Sequence, residues 1–588
     1  MSHDLVIADA FLVDGSGSPG RHADIAVDGD SITAVEPAGA IGGGARRVEA
    51  DGRLVTPGFV DVHTHYDAQA SWDPWVTPSS WHGVTTVVMG NCGVGFAPAA
   101  PDRHDWLIQL MEGVEDIPGS ALTEGLTWGW ESFPEYLDRL AEMPRVLDVG
   151  TQVPHGAVRG YVMGERGARN EPATPDDIAA MARIVQEGVE AGALGVSTSR
   201  TIAHRAIDGE PVPGTFAAED ELFAIGHALA TVGHGVFELA PAGTGGEAAG
   251  DPPDAHEREI DWIVRLAEAT GVPVTFLVMQ SHVAPDRWKY QMDASRRARA
   301  AGTPVYPQVA SRCFGMLVGH QSRANPFRTR PTYQSMTDMP LEERVARLRD
   351  PEVRARILAE GPPPGAPGTM AAQMQSSMFE ALYPLGSPPE YEPTADTSLR
   401  AVADREGRDL EDVAYDAMLV NDGRELLLYP LLNFGGGNYD ALYEMMTDPI
   451  TVQGLGDGGA HCGIVCDASM TTYTLSHWVR DPSRGPRLEL EAAVKRLTSD
   501  PAALYGLADR GVLAPGMRAD VNILDFENLG IERPEMVFDL PAGAGRMIQR
   551  STGYIATVVA GESVVENGEI TGALPGGLVR GPQTADAG

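Results

Sequence analysis

Short apolar segments alternate with longer amphipathic ones through the middle of the chain, and this alternation constrains the fold more than any other feature. Eight segments have the length and apolar character of buried strands, and helix-like stretches separate most of them. They cover residues 58–65, 84–90, 145–155, 192–199, 235–241, 273–280, 304–311 and 451–461. Because parallel strands need a crossover between them, this order predicts an α/β fold, a (β/α)8 barrel of the TIM type.

The two ends of the chain carry a different pattern. Short alternating strands separated by Gly and Asp turns fill residues 4–55, and the same pattern returns after residue 510. We therefore predict a small β-sandwich domain from residues 1–55 and 510–588, with the barrel over residues 56–509. The long interval between the seventh and eighth strands predicts an inserted lid or substrate segment over about residues 315–445, including the Pro/Gly-rich break GPPPGAPG.

Charge and composition exclude several classes of partner. The formal net charge of −38 repels phosphate backbones and anionic lipid, so we expect a small-molecule amide substrate and neither nucleic acid nor a membrane. The sequence has no apolar run of about 18 residues and no basic leader, which predicts a cytoplasmic protein. The four cysteines are too few for a disulfide scaffold. Assembly into a homo-oligomer stays open.

His63 and His65 follow the apolar run of the first predicted strand, with one residue between them. Alternate residues of a strand point to the same side, about 6 to 7 Å apart at the backbone, so both imidazoles could bind one ion. The carboxyl ends of barrel strands meet at the mouth where active sites form. The alternative is a pair of histidines that only form hydrogen bonds at the strand end.

Asp457 lies in the glycine-rich sequence GLGDGGAH at the end of the eighth predicted strand. The glycines let the backbone and a ligand approach closely, and the carboxylate would face the same mouth as the histidines. It could bind a metal, accept a proton from water or cap the following segment. His461, in the same sequence, could contact a substrate or be an ordinary polar loop residue.

These segments resemble the amidohydrolase superfamily, through TPGFVDVHTHYD, GNCG at residues 90–93 and GDGGAH. The D-aminoacylase branch, whose members deacylate N-acyl-D-amino acids, fits best, and PHGAVRGYVMG and GVLAPGMRADVNILD extend the similarity over nearly the whole chain. In that branch the GNCG cysteine, here Cys92, replaces the carbamylated lysine that bridges two metals in hydantoinase-like relatives. Neither Lys289 nor Lys495, the only lysines, ends a predicted strand. A thiolate suits zinc, whereas the alternatives for Cys92 are a packed thiol or a nucleophile.

The resemblance also implies metal-binding histidines at the ends of strands five and six, and this sequence departs from that pattern. Strand five offers Glu238, and strand six offers Gln280 and then His282. A carboxylate can replace an imidazole on zinc, although Glu238 could instead be buried and hydrogen-bonded. The predicted metal ligands are therefore His63, His65, Cys92, Asp457 and Glu238. We expect one zinc ion, with two allowed.

Substrate contacts are predicted from side chains that follow the strands. Arg200 and Arg312 carry guanidinium groups, which suit the carboxylate of an N-acyl amino acid, and each could instead form a structural salt bridge. His204 and His461 complete the predicted substrate-binding set. His155 is placed like His204, and both of these histidines could instead only hydrogen-bond at the barrel rim.

Together these residues predict a zinc-dependent hydrolase of C–N amide bonds, with Asp457 as the catalytic residue that handles the proton of a zinc-activated water. By the resemblance, the substrate is an N-acyl amino acid, of D configuration in that branch. A cyclic-amide or formamide hydrolase of the same superfamily is the first alternative. A degenerate barrel without catalysis is the second.

Overall fold

The computed structural model describes residues 3–244, 255–360, 378–482 and 484–585, and the predicted break GPPPGAPG lies outside them. In chain order the strands are β1 (His3–Leu12), β2 (Arg21–Asp28), β3 (Ser31–Pro37), β4 (Gly44–Glu49), β5 (Leu54–Pro57), β6 (Phe59–Asp61), β7 (Val84–Met89), β8 (Asp148–Thr151), β9 (Val153–Pro154), β10 (Gly195–Ser199), β11 (Val236–Ala240), β12 (Val274–Leu277), β13 (Val305–Val309), β14 (Phe314–Val318), β15 (Tyr383–Pro384), β16 (Leu427–Leu432), β17 (Val452–Gln453), β18 (Val521–Leu524), β19 (Gly530–Ile531), β20 (Glu535–Val537), β21 (Arg546–Ile548), β22 (Ser551–Thr552), β23 (Tyr554–Val559), β24 (Glu562–Glu566) and β25 (Glu569–Ile570).

Helices fill the intervals between the parallel strands and much of the later segment. They are α1 (His104–Glu115), α2 (Gly119–Gly125), α3 (Phe133–Ala141), α4 (His155–Met163), α5 (Glu165–Ala168), α6 (Pro175–Glu190), α7 (Glu219–Val232), α8 (Ala255–Thr270), α9 (Arg287–Ala300), α10 (Pro331–Gln334), α11 (Leu341–Leu348), α12 (Pro351–Glu360), α13 (Leu399–Glu406), α14 (Leu410–Met418), α15 (Val420–Gly423), α16 (Asp440–Thr447), α17 (Met470–Tyr473), α18 (Leu490–Leu497) and α19 (Ser499–Leu504). Among the described residues, none of these helices is long and apolar enough to cross a membrane.

The parallel strands pair in the order of the sequence. β6, β7 and β8 form one sheet, and β9, β10, β11, β12, β13 and β17 form a second, with only Gln152 between β8 and β9. A parallel bridge from Thr64 to Gly458 then joins the chain just after β6 to the chain just after β17. We call this set of strands the parallel ring. Its order is the one expected of the predicted eight-stranded barrel.

Burial explains why these segments form parallel strands. All residues of β7, β10 and β11 are buried, as expected where helices cover a sheet that encloses a core. Capping boxes fix where two of the helices begin. In α6, Thr174 and Asp177 cap each other's backbone N–H groups and Pro175 takes the first helical position.

Another sheet, separate from the parallel ring, combines strands from both ends of the chain. Its order is β25, β24, β23, β18, β5, β1, β2 and β3, and β4 also pairs with β1. Apolar side chains from both ends of the chain share one cluster on this sheet, including Leu5, Ile25, Val55 and Ile523. The sheet branches at β1, which pairs in parallel with both β4 and β5.

The segment between β13 and β17 has a core of its own, in which Phe327, Tyr415 and Leu427 are buried. Its strands β14 and β16 pair antiparallel and extend to the parallel ring. Leu432 bridges to Ser281, and the N–H of Leu317 donates to the carbonyl of Ile464 at 2.7 Å. The segment therefore packs against the end of the ring at which β12 and β17 finish.

A buried ionic cluster ties α4 to α7 and β10. His155 Nε2 and Arg159 Nε lie 2.8 and 2.7 Å from the Glu221 carboxylate, and the other ring nitrogen of His155 lies 2.8 Å from Thr198 Oγ1. Burial raises the pKa of Glu221, but the hydrogen bonds from His155 and Arg159 outweigh it and lower the pKa to about 2. His155 is thus held in a structural cluster.

Replacing Glu221 by Gln should destabilise the fold strongly, because it leaves the buried Arg159 charge without its partner. We expect a loss of about 3 to 5 kcal/mol, measured from the shift of the urea unfolding midpoint. The depressed pKa means that the Glu221 contribution is present above about pH 4.5 and is lost as the pH falls toward 2, so the difference should shrink over that range.

Glu219→Gln is the matched control, because Glu219 lies on the same helix and pairs with Arg265 at the exposed surface. That change should alter stability by no more than about 0.5 kcal/mol. Equal effects of the two substitutions would contradict a structural role for the buried cluster.

Candidate metal centre

His63 and His65 follow β6 and point to the same side of the chain, as the alternation predicts. Their ring centroids lie 5.4 Å apart, and both side chains are almost completely buried. Thr64, between them, points the other way, and its hydroxyl donates to the carbonyl of Val88. His63 Nδ1 lies 3.1 Å from Gln308 Oε1, which can only accept, so this contact assigns the proton to Nδ1 and leaves Nε2 free to bind a cation.

Asp457 faces both imidazoles from the end of the ring at β17. Its Oδ1 lies 3.6 Å from His63 Nε2 and 3.7 Å from His65 Nε2. The backbone fixes this approach, because the N–H of Asp457 donates to the carbonyl of His63 at 3.0 Å. Asp457 has a φ of +45°, in the left-handed region, which a non-glycine residue adopts at some energetic cost.

Cys92 completes the group from the loop after β7. Ligand atoms of His63, His65 and Cys92 all lie within 4.8 Å of one another, and Cys92 Sγ is 3.4 Å from His63 Nε2. Cys92 also has a positive φ, of +54°, and its N–H donates to Glu238 Oε2 at 3.0 Å. Glu238 lies behind the cysteine on β11, with Oε1 3.8 Å from His63 Nδ1 and without a hydrogen-bond partner.

Glu115, the last residue of α1, is a buried carboxylate that the sequence analysis missed. Its Oε1 lies 3.3 Å from His65 Nδ1, and its Oε2 lies 3.8 Å from His461 Nε2. Glu115 ends a helix and does not directly follow a strand, so only the tertiary fold brings it to the mouth of the ring. Gln308 was also missed, although a polar residue inside the apolar segment PVYPQV was a signal for it.

The electrostatics of the group depend on burial and on the charges around it. Burial lowers the pKa of His63 to about 4. For His65 burial acts in the same direction, but Glu115 and Asp457 outweigh it and raise the pKa to about 9. For Asp457, burial raises the pKa, but the hydrogen bond with His65 and the two imidazoles lower it to about 2. Burial and the carboxylates of Glu238, Glu115 and Asp457 raise the pKa of Cys92 well above its usual value.

These residues fit a zinc ion. Two imidazoles, a thiol and a carboxylate are the donor types that zinc prefers, and the buried oxygens Glu238 Oε1 and Glu115 Oε1 have no hydrogen-bond donor. A buried cation would compensate the carboxylates and stabilise a thiolate at Cys92. The raised pKa of Cys92 disfavours the alternative in which this thiol is a nucleophile. His63 Nε2 lies 3.4 Å from Cys92 Sγ, but burial lowers the pKa of His63 and so disfavours a thiolate–imidazolium pair.

The group opens into a cavity of about 250 Å³. His204 and His461 line it, as do Thr201, Thr244 and Glu115. Burial lowers the pKa of His204 to about 3, and its Nδ1 lies 3.0 Å from Ser199 Oγ. Most of the remaining wall is apolar and comes from Leu277, Met279, Phe314, Met316, Leu431, Leu432, Ile464 and Val465.

Arg200 and Arg312, predicted as substrate contacts, do not line the cavity. Arg312 is fully buried, donates to the carbonyl of Cys466 and to Asp467, and lies 3.7 Å from the centre of the Tyr391 ring. Arg200 donates to the carbonyl of Ala217 at 2.6 Å and pairs with Glu259. The prediction is corrected on both residues, because each guanidinium is already engaged inside the fold.

Gln280 and His282 also point away from the metal group. Gln280 Oε1 accepts the N–H of Gly435 at 2.8 Å, and His282 Nε2 lies 3.1 Å from the carbonyl of Pro430. Both side chains therefore connect the end of β12 to the segment around β16. The resemblance implies metal-binding histidines at the ends of strands five and six. Among the described residues, Glu238 is the remaining candidate to take their place.

The sequence of the chain is similar to known hydrolases over most of its length. The profile of the amidohydrolase family matches residues 46–565. An uncharacterized protein of Mycobacterium tuberculosis is 26% identical over 97% of this chain and 93% of its own length. N-acyl-D-glutamate deacylase of Alcaligenes xylosoxydans xylosoxydans is 26% identical over 90% of this chain and 88% of its own, and D-aminoacylase of that organism is 38% identical over 33% and 37%.

Solved structures show the same fold. The crystal structure of a D-aminoacylase covers 98% of this chain and 100% of its own, with a TM-score of 0.64 and 24% identity. N-acyl-D-glutamate deacylase from Bordetella bronchiseptica, solved with zinc and a phosphonate inhibitor, gives a TM-score of 0.64 at 22% identity, covering 99% of this chain and 100% of its own.

Replacing Cys92 by Ser should weaken zinc binding, because it removes the soft donor from the cluster. We expect the zinc dissociation constant to rise by at least about tenfold, since even the loss of an indirect partner costs that much. Competition with a chelator, followed by elemental analysis, measures it. Cys313→Ser is the control, because Cys313 is equally buried and its Sγ lies 3.4 Å from the carbonyl of Tyr391. Unchanged zinc affinity in Cys92→Ser would remove Cys92 from the site.

Proposed function

The chain belongs to the amidohydrolase family, and we propose that it is a zinc-dependent hydrolase of C–N amide bonds that deacylates N-acyl compounds. Its D-aminoacylase and N-acyl-D-glutamate deacylase relatives make N-acyl-D-amino acids the reference substrates. The observation that carries the proposal is the group of ligand atoms of His63, His65 and Cys92, all within 4.8 Å of one another at a cavity wall, with Asp457 Oδ1 3.6 and 3.7 Å from the two imidazoles.

We assign the metal to His63, His65, Cys92 and Asp457, with Glu238 as a further ligand through its unpaired Oε1. One ion is proposed, because ligand atoms of His63, His65 and Cys92 all lie within 4.8 Å of one another and Asp457 Oδ1 lies 3.6 and 3.7 Å from the two imidazoles. When bound, zinc would supply Lewis-acid polarisation of an amide carbonyl and would lower the pKa of water. The ion would also make a thiolate of Cys92.

The protein's own groups would orient the reactants and move the proton. The contact of Gln308 with His63 Nδ1 leaves His63 Nε2 as the ligand atom. Glu115 Oε1 lies against Nδ1 of His65 in the same way and leaves Nε2 of that ring for the metal. Asp457 Oδ1 lies at the cavity wall as an ionised carboxylate, so it can take a proton from water and deliver it to the leaving nitrogen. His204 and His461 would contact the substrate.

The proposal includes the domain organisation of the chain. We propose a (β/α)8 barrel over residues 56–509, an accessory β-sandwich from residues 1–55 and 510–588, and a substrate segment over about residues 315–445. A cytoplasmic location and a small-molecule partner are proposed with it, without nucleic acid or membrane partners.

Replacing Asp457 by Asn should abolish most of the turnover. The amide keeps the size of the side chain but cannot accept the proton, so kcat should fall by about 10²- to 10⁴-fold. Amine release from the N-acyl compound that the wild type cleaves fastest, an N-acyl-D-amino acid or a neutral N-acyl amine, measures the change, and the thermal unfolding midpoint checks the fold.

The zinc content of Asp457→Asn must be measured beside its activity, since Asp457 is also a proposed ligand. Wild-type protein stripped with a chelator and reloaded with zinc gives the reference for lost metal alone. A variant with full zinc and near-normal kcat would contradict the role of Asp457 in proton transfer.

Two alternatives give different results in the same assays. A cyclic-amide or formamide hydrolase would open hydantoins or cleave formamides and leave N-acyl amines intact. A degenerate barrel without catalysis would bind less than stoichiometric zinc, and elemental analysis of the purified protein detects that directly.

A further inference from the structure

The cavity beside the metal group has an apolar wall and a polar floor. The wall combines Leu277, the last residue of β12, and Met279, which follows β12, with residues of two later strands. These are Phe314 and Met316 of β14 and Leu431 and Leu432 of β16. The floor consists of His63, His65, Cys92 and Asp457 with Glu115, and two of its groups, Glu115 and Asp457, are carboxylates. A ligand in this cavity therefore meets apolar side chains of the wall and the metal group with its carboxylates at the floor.

No lysine or arginine lines the cavity in the part of the chain that the structure describes. The segments outside that part add none, because residues 245–254, 361–377, 483 and both chain ends contain neither residue type in the sequence. Every guanidinium and ammonium side chain of the protein therefore belongs to a described residue, and none faces the cavity. The bidentate group that usually receives a substrate carboxylate is missing from this site.

The imidazoles of the cavity do not replace that group. His204 Nδ1 is directed at Ser199 Oγ, and His461 Nε2 lies nearer than 4 Å to a carboxylate oxygen of Glu115. Any positive charge on His461 is thus already matched by a buried negative charge. His63 and His65 belong to the proposed metal site.

A free N-acyl amino acid would have to place its carboxylate inside this cavity. Its carboxyl carbon is bonded to the carbon next to the scissile nitrogen, so the carboxylate stays within a few bonds of the amide and close to the cavity wall when the amide sits at the metal. An unpaired carboxylate in an apolar site loses its hydration without compensation, and the net charge of −38 repels an anion at long range.

We propose that the substrate of this site is an uncharged amide with apolar groups, an acylated amine without a free carboxylate beside the scissile nitrogen. The proposal rests on the proposed amide hydrolase function and narrows it to a substrate class. The apolar wall would hold the hydrocarbon part, and the metal group would hold the amide.

A matched pair of substrates isolates the carboxylate. N-Acetyl-D-leucine and N-(3-methylbutyl)acetamide carry the same acyl group and the same branched chain, and they differ only by the carboxylate. We expect kcat/KM, from amine release by the zinc-loaded enzyme, to be at least tenfold higher for the neutral amide. Equal or better hydrolysis of N-acetyl-D-leucine would overturn the proposal.

Binding decides the substrate class even if neither compound is cleaved. Calorimetric titration of zinc-loaded Asp457→Asn with each compound should give a dissociation constant at least tenfold lower for the neutral amide. Tighter binding of N-acetyl-D-leucine overturns the substrate class. Absence of turnover by fully zinc-loaded wild type, on both compounds, would instead count against the amide hydrolase function.

Adding a positive charge to the cavity wall should reverse the expected preference for the neutral amide over N-acetyl-D-leucine. Met316→Arg places a guanidinium on the apolar wall, and we expect it to raise kcat/KM for N-acetyl-D-leucine at least tenfold and to lower it for the neutral amide. Met316→Gln is the matched control, of similar length and without charge, and should leave the neutral amide preferred. Leu431→Arg repeats the test if thermal unfolding shows that Met316→Arg does not fold. Two folded arginine variants that still prefer the neutral amide would contradict the proposal.

Discussion

The pairing of the chain after β6 with the chain after β17 is the interaction on which the site depends. The Thr64–Gly458 bridge and the hydrogen bond from the N–H of His65 to the carbonyl of Gly458 join residues that are almost 400 positions apart in sequence. This contact requires glycine, because a Cβ on Gly458 would lie 2.6 Å from Tyr66 Oη and 2.7 Å from Ser79 Oγ. Once the strands are joined, Asp457 has to face His63 and His65.

The same arrangement concentrates polar groups where burial disfavours charge. His63, His65, Glu115 and Glu238 are nearly inaccessible to solvent, and several of their atoms lack hydrogen-bond partners. Cys92, Asp457 and His461 have a positive φ, which adds backbone strain. Such a cluster opposes folding unless the ring around it is stable and a cation compensates the carboxylates. Buried unpaired polar atoms and strained backbone in one cluster are therefore expected of a site whose charges a metal ion would balance.

The sequence predicted those parts of the site that depend on local geometry. His63 and His65 could be paired because strand alternation fixes where their side chains point, and Asp457 because its glycines follow an apolar strand. Cys92 was found through the resemblance to a family. Glu115 could not be found, since it ends a helix and reaches the site only through tertiary packing. Arg200 and Arg312 follow strands as expected, but sequence position does not reveal that Glu259 and Asp467 already pair with them.

The two halves of the cavity have different origins, and this separates chemistry from selectivity. The ligand group comes from the ends of β6, β7 and β17, where the backbone is constrained by the ring. Much of the apolar wall comes from β14 and β16, which belong to the segment between β13 and β17. Met316 of the wall packs on the separate core of that segment, whereas Leu432 and Phe314 pack in the cluster that contains Cys92. Changes at Met316 can therefore alter the wall of the cavity from the side of the separate core, whereas changes at Leu432 also reach the cluster around Cys92. If the parallel ring keeps its proposed ligands, the segment between β13 and β17 is thus the part of the chain whose changes would alter the class of amide that fits the cavity.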